Sequence, residues 1–524
     1  MQHHKVPFKN THIFTSFFLD YIHQKDSLSK FYNRFPTPSS FKDQIGEKQK
    51  SFSPSARKTL QSVLREQYKD LIISDIVSEN INSITDEKTF TITTGHQLNI
   101  FTGPLYFIYK IASVINASRQ LKKAYPQFNF IPFYWMASED HDFEEISYFK
   151  LYGKKYTWET TQEGAVGRYD PKSLDNLVNE LPGDVSIFKT AYLKHQSLSD
   201  AVRYYVNELF GKEGLVVLDA DNSQLKAEFV HVIEDDLFKH SSKSIVEKTN
   251  AELNELDYST QVYARDINFF YLDNNLRSRL ERTEHGFSVV DTQLQFSDDD
   301  IKKLIKSEPE KFSPNVILRP LYQERILPNL AYFGGPAEVI YWLQLKGVFD
   351  HFKTPFPILM PRNFALVLPR PIARKFAKTG LSMEELFEEK NYLFNDWVQK
   401  NTHHNLTLTE EMKTVGQLFD QIKSRAIEID PTLERMIAAE TKRASNSFGK
   451  IEQKLLKAEK RLHADKLRQI DEVKEALFPI GGLQERSDNF LNFYQQDPDF
   501  IQKILKVFDP FDFQFNLISY PSNE

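Results

Sequence analysis

Three short segments carry residue types that do chemistry. The first is Thr94-Gly95-His96-Gln97, followed by Thr102-Gly103-Pro104. Glycine then proline is a helix-start signal, and a helix N-terminus offers free backbone N–H groups to a phosphate or carboxylate. His96 could donate to the same anion. The spacing is neither G-x-G-x-x-G nor G-x-x-x-x-G-K-[ST], so no standard dinucleotide or P-loop motif applies. The plainer alternative is a tight turn with a capping histidine. The second segment is Ser138-Glu139-Asp140-His141-Asp142, with Glu144 and Glu145 behind it. Asp140, His141 and Asp142 are the catalytic candidates: they could hold Mg²⁺, accept bonds from an amine or hydroxyl, or supply a general base. The same acids also describe a helix first turn favoured by the macrodipole. No HExxH pair occurs, and no dedicated metal site is expected. The third segment is Arg319-Pro320-Leu321-Tyr322-Gln323, followed by Gly334-Gly335-Pro336-Ala337-Glu338. Arg319 offers a planar fork for a carboxylate or phosphate. Gly335 opens a second anion-ready helix, Glu338 could meet a cation, and Arg362 adds another guanidinium. A surface arginine and a simple turn are the alternatives. No G-x-S-x-G elbow supports a nucleophilic serine.

These segments need strands and helices to position them. Thr89 to Thr94 is a β-branched run ending at Gly95. Leu105, Ile108, Ala112 and Ile115 then fall on one face of a helix. Phe130 to Ala137 is apolar without alternation, as expected for a strand covered on both faces. Strand, helix, strand makes a βαβ unit, and so an open parallel sheet whose carboxyl ends form a ligand crevice. Leu215 to Asp219, Asn268 to Leu272 and Pro357 to Met360 read as further strands, and Ser297 to Asp300 as a capping box.

The expected division is a helical and irregular segment over 1–85, an α/β core over 86–370 with an insertion around 150–213, a helical coiled-coil domain over 371–490, and a segment over 491–524 returning to the core. In the helical domain Asp430-Pro431 reads as the start of a long helix. Ile451, Leu455, Ala458 and Leu462 repeat at coiled-coil spacing, which predicts an antiparallel hairpin able to dimerise.

The chain has 524 residues, enough for about three folding units. Sixty-six Lys and Arg against seventy-two Asp and Glu give a net charge of −6, which argues against a broad nucleic-acid or anionic-membrane surface. There is no cysteine, so disulfides, thiolate metal sites and a cysteine nucleophile are excluded. No apolar leader follows Met1 and no run is long enough to span a bilayer, so a cytoplasmic protein is expected.

Six stretches resemble a known family: TGHQLNIFTGPLYFIYK (94–110), IPFYWMASEDHDFEEI (131–146), GLVVLDAD (214–221), SPNVILRPLYQERILP (313–328), YFGGPAEVIYWLQLK (332–346) and LFPIGGLQER (477–486). In this order and spacing they are similar to the cysteine-adding enzymes of bacillithiol biosynthesis, described as cysteine ligases. One departure is His96, where glutamine is the commoner residue in that family. The resemblance implies a Rossmann-like core related to class I aminoacyl-tRNA synthetases and nucleotidylyltransferases, with inserted connecting segments and a dimerising coiled coil. It implies addition of cysteine to the amine of glucosaminyl malate as the last step of bacillithiol synthesis, with ATP and Mg²⁺ as expected cosubstrate and ion. The His-x-Gly-His motif of those synthetases is absent, so no motif secures adenylate chemistry. Two other readings are a non-catalytic nucleotide-binding scaffold and a metal-dependent sugar-phosphate hydrolase using residues 138–145.

Overall fold

The computed structural model describes residues 2–521. Its centre is a parallel sheet of five strands: β1 (Thr89–His96), β2 (Asn129–Met136), β3 (Val216–Asp219), β4 (Asn329–Gly334) and β5 (Ile358–Pro361). The spatial order is β3-β2-β1-β4-β5, and every neighbouring pair runs parallel. Helix α1 (Tyr106–Ala124) makes the crossover from β1 to β2, and α2 (Pro336–Leu343) follows β4. The winding reverses between β1 and β4, so a ligand crevice opens beyond the carboxyl ends of those two strands. The expected α/β class and Rossmann-like sheet are therefore the ones observed.

β1 is buried along its whole length although every second residue is threonine. Part of its polar face is satisfied internally: the Thr91 and Thr93 hydroxyls donate to Asn329 Oδ1 at 3.2 and 2.8 Å, which replaces the water an alternating strand would otherwise face.

The two Gly-Pro signals behave differently. Gly335-Pro336 opens α2 as expected, with the Glu338 carboxylate accepting the Gly335 N–H at 2.7 Å. Gly103-Pro104 does not open α1, which starts at Tyr106. There the loop is drawn toward the C-terminal segment: Asn489 Nδ2 donates to the carbonyls of Phe101 and Gly103 at 2.7 and 2.6 Å, and Leu105 N–H donates to Asp488 O at 2.7 Å.

The strand predicted over Asn268–Leu272 forms, at Phe269–Asp273, but outside the parallel sheet. Only Asn274 and Asn275 separate it from the strand Leu276–Thr283, which allows a hairpin and no crossover. These two strands, Phe312–Pro314 and two shorter strands make an antiparallel sheet beside the crevice. Residues 148–213 fold as a hairpin followed by short helices.

The N-terminal segment contains a strand besides its helices. Gln2–Pro7 pairs antiparallel with Gln514–Ser519, which runs parallel to Phe364–Leu368. Helix Phe41–Ser51 is fixed to the core by Lys48, whose buried Nζ lies 3.3 Å from the Glu324 carboxylate.

Two long helices, α3 (Thr409–Ile429) and α4 (Leu433–Leu462), form the expected hairpin. α4 begins at Leu433 rather than Pro431, because the Asp430 carboxylate caps the turn by accepting the Thr432 N–H at 2.8 Å. Along the predicted seam Leu455 is half-buried while Ile451, Ala458 and Leu462 are exposed, and Leu456 beside it packs toward the small core of Leu393, Trp397, Leu467 and Ile470. Among the described residues no helix is long and apolar enough to cross a membrane.

Replacing Lys48 by methionine leaves Glu324 buried without its cation. It should lower unfolding free energy by about 3–5 kcal/mol, read as a lower denaturant midpoint, whereas Lys50→Met should be near neutral.

Candidate active site

A cavity of about 850 Å³ opens beyond the carboxyl ends of β1, β2 and β4. Its two ends have opposite character.

At the cationic end, α1 carries Lys110 into the switch point. The buried Nζ donates to Gly95 O at 2.8 Å and to Glu338 Oε1 at 2.9 Å. Burial pulls its pKa down while Glu338 opposes the shift. Arg319 stands at the first turn of the helix Arg319–Ile326, with Nη1 donating to Gln323 Oε1 at 3.1 Å. Its guanidinium carbon lies 5.9, 5.7 and 5.8 Å from the rings of Trp135, Tyr332 and Trp342. Arg362, after β5, forks onto Glu485, with one contact at 3.1 Å. Among the described residues Arg319 Nη2, Arg362 Nε and His96 Nε2 are buried without a hydrogen-bond partner. The His96 ring is 8% exposed. Burial, with Lys110 and Arg362 nearby, holds its pKa well below the ordinary value, so it is a neutral imidazole. Arg486 also lines this end.

At the acidic end, residues after β2 meet the antiparallel sheet. Asp140 Oδ2 accepts from Gln97 Nε2 at 3.0 Å, and Oδ1 accepts the His141 and Asp142 N–H groups at 2.7 and 3.2 Å. Burial would raise the Asp140 pKa, but Gln97, Arg277 and those N–H groups outweigh it and hold the carboxyl below the usual range. Arg277, from Leu276–Thr283, lies 4.0 Å from the Phe270 ring and donates to His141 Nδ1 at 2.6 Å. A guanidinium only donates, so His141 is held neutral with Nδ1 occupied, and burial and Arg277 lower its pKa. Glu139 faces Lys226 Nζ at 2.8 Å.

The sequence candidates therefore divide. Gly95, His96, Gln97, Asp140, Arg319, Tyr322, Gly335, Glu338 and Arg362 line the cavity. Thr94 donates to Phe333 O at 2.8 Å within the sheet. Gln323 supports Arg319 from behind. Asp142 caps the helical turn Phe143–Ile146, accepting the Glu145 N–H at 3.3 Å. Gly103 and Pro104 are outside the lining, and the N–H groups of Gly103 and Leu105 are spent on Ile100 and Asp488. Gly103 serves its loop: φ is +62°, and a Cβ there would run into the side chain of Asn99. Lys110, Arg277, Arg486 and Glu139 were not among the site candidates. Lys110 carried one signal, as the only charged side chain in the otherwise buried stretch from Phe107 to Ser118.

A Rossmann-like sheet with a charged cavity at its switch point, followed by a helical hairpin, defines a Rossmann-like protein with a C-terminal coiled coil. The chain matches the N-terminal Rossmann-like domain of the bacillithiol biosynthesis protein BshC over residues 1–363, and that protein's C-terminal coiled-coil domain over 365–520. It is 41% identical to a protein of Flavobacterium psychrophilum, covering 98% of this chain and 99% of the relative. It is 39% identical to one of Flavobacterium johnsoniae with the same coverage, and 38% identical to one of Christiangramia forsetii, covering 98% of each. All three bear the name "Putative cysteine ligase BshC". The chain belongs to the BshC family of bacillithiol biosynthesis.

Two outcomes follow from this geometry. A free imidazole titrates near 6.5. His96 titrates lower in the fold, so its contribution to stability is complete above about pH 6.5 and lost as pH falls. NMR of labelled histidine should show no His96 titration between about pH 6 and 8, and His96→Gln should flatten part of the acid loss of stability. Gly103→Ala should cost more than about 1 kcal/mol through backbone strain, seen as a lower melting temperature.

Proposed function

We propose that the protein is a cysteine ligase forming an amide between the carboxyl of cysteine and the amine of glucosaminyl malate. The observation that carries this reading is the division of the cavity. A malyl group brings two carboxylates, which match Arg319, Lys110 and Arg362, with free buried N–H groups on both arginines. A glucosamine amine brings one positive charge, which matches the end holding Glu139 and Asp140. Cations and anions on one acceptor are thus met in complementary places.

Amide formation needs the cysteine carboxyl activated, as an acyl phosphate or adenylate, before a neutral amine attacks. We assign that activation to ATP with Mg²⁺. Among the described residues no group of three or more His, Asp or Glu side chains is arranged to hold a metal ion. Mg²⁺ is accordingly assigned to the nucleotide's own phosphates. The metal-dependent hydrolase reading has less support, because Asp140 and Asp142 are each taken up by backbone N–H groups. Arg319 holds the malyl carboxylates, with Tyr322 and Trp135 walling the space beside it.

We also propose a homodimer through the hairpin. Leu418, Met436, Ile451 and Leu462 are exposed on it, Leu462 by 72%. Light scattering should give twice the chain mass, and Ile451→Glu with Leu462→Glu should give the single-chain mass.

Incubation with glucosaminyl malate, cysteine, ATP and Mg²⁺ should yield the bacillithiol mass, with AMP marking an adenylate and ADP an acyl phosphate. Arg319→Ala should raise KM for glucosaminyl malate about 10–100-fold, the worth of a charged hydrogen bond, and leave KM for cysteine nearly unchanged. Equal effects on both substrates would overturn the assignment of Arg319.

A further inference from the structure

Attack by the acceptor's nitrogen requires its ammonium to lose a proton first. Four carboxylates reach the cavity: Glu139, Asp140, Glu145 and Glu338. Two are committed elsewhere. Glu338 accepts the Gly335 N–H and Lys110. Asp140 accepts two backbone N–H groups and the Gln97 amide. Glu145 shares the same Gln97 Nε2 but is exposed, with no buried partner to hold it in place. His141 Nδ1 is occupied by Arg277.

Glu139 differs. It has no backbone N–H donor, and its neighbours are the fully buried Lys226 Nζ at 2.8 Å and the Ser313 hydroxyl. Lys226 is itself anchored on Phe312 O at 2.8 Å, and Ser313 Oγ receives Arg277 Nε at 3.1 Å. The carboxylate is thus held in place without being saturated. Burial raises its pKa and Asp221 adds to this, while Lys226 pulls the other way, which suits a base working near neutral pH.

We propose that Glu139 is the general base of the ligase reaction and Lys226 its positioning residue. This rests on the ligase reading above. The acceptor's N–H bond breaks with its electron pair staying on nitrogen, and the proton passes to the Glu139 carboxylate. The neutral nitrogen then bonds the acyl carbon of cysteine activated by ATP, and the phosphate or AMP leaves with its electron pair. The second proton is lost from the now cationic nitrogen to that leaving phosphate group, which completes the amide. The proton on Glu139 returns to solvent.

The first test is turnover. Glu139→Gln should lose about 10²–10⁴-fold in kcat, and Glu139→Asp should retain part of it. Lys226→Met removes the cation that favours the ionised carboxylate, so the acid limb of the kcat–pH profile should move to higher pH. A merely structural lysine would leave that limb in place. The second test needs no turnover: calorimetry with glucosaminyl malate and with its 2-hydroxyl analogue, glucosyl malate. Wild type should prefer the amine by at least about tenfold, and Glu139→Gln should lose most of that preference. An undiminished kcat, or an undiminished preference for the amine, in a folded Glu139→Gln protein would overturn the role of Glu139. Loss of preference without any amide product from wild type would keep Glu139 at the amine and overturn the ligase reading instead. Failure of glucosaminyl malate to bind wild type would overturn both.

Discussion

The buried ammonium of Lys110 joins three elements that the winding of the sheet brings together at one point. It is carried by α1, it binds the carbonyl of Gly95 at the end of β1, and it pairs with Glu338 in the first turn of α2. Taking an ammonium out of water costs several kcal/mol unless it is paired and hydrogen-bonded, so both contacts are required. Glu338 is doubly placed, since it also closes the first turn of α2 on the Gly335 N–H. Gly95 packs closely here: a Cβ would meet Tyr332 Oη at 3.1 Å, so the tyrosine would have to shift slightly. Burial keeps His96 neutral, and the charges of Lys110 and Arg362 add to that effect.

The remaining cations reach this point from far along the chain. Arg362 follows β5, yet its fork is closed by Glu485 from the segment after the hairpin, and Glu485 also accepts the Ala365 N–H at 3.3 Å. Arg486 comes with it. The C-terminal segment therefore acts as part of the Rossmann-like unit, tied in again by Asn489 on the loop before α1. Burying such an ion pair is weak evidence for stability in itself. Its effect is positional: the pairing with Glu485 fixes the guanidinium of Arg362 at the cavity wall.

How much of this was legible follows from the range of the interactions. Local signals served well: the β-branched run of β1, the apolar run of β2, the Ser297 capping box and the Gly335-Pro336 start all depend on neighbours within a few residues. Gly103-Pro104 carries the same local signal and fails, because Asn489 and Asp488, nearly four hundred residues away, claim its backbone. The strand Gln2–Pro7 was illegible for the same reason, since its partner is at the other end of the chain. The hairpin spacing was legible, but not which face its apolar residues would present. Arg277 could not be placed, because its role depends on which sheet its strand joins.

The acids after β2 show why a cluster in sequence is not a cluster in function. The chain turns sharply beyond Met136, and successive carboxylates point to different neighbours: Glu139 to Lys226, Asp140 to Gln97, and Asp142 back to its own helical turn. The macrodipole reading and the ligand reading of residues 138–145 each hold, for different side chains. The two ends of the cavity also differ in construction. Lys110 and Glu338 are fixed within the parallel sheet's own connections, whereas Arg277 and Ser313 are presented by the antiparallel sheet. Glu139 and Asp140 are carried by the loop after β2, yet their setting is completed from the second sheet, by Ser313 beside Glu139 and Arg277 beside Asp140, whereas the Lys110–Glu338 pair is closed within the first.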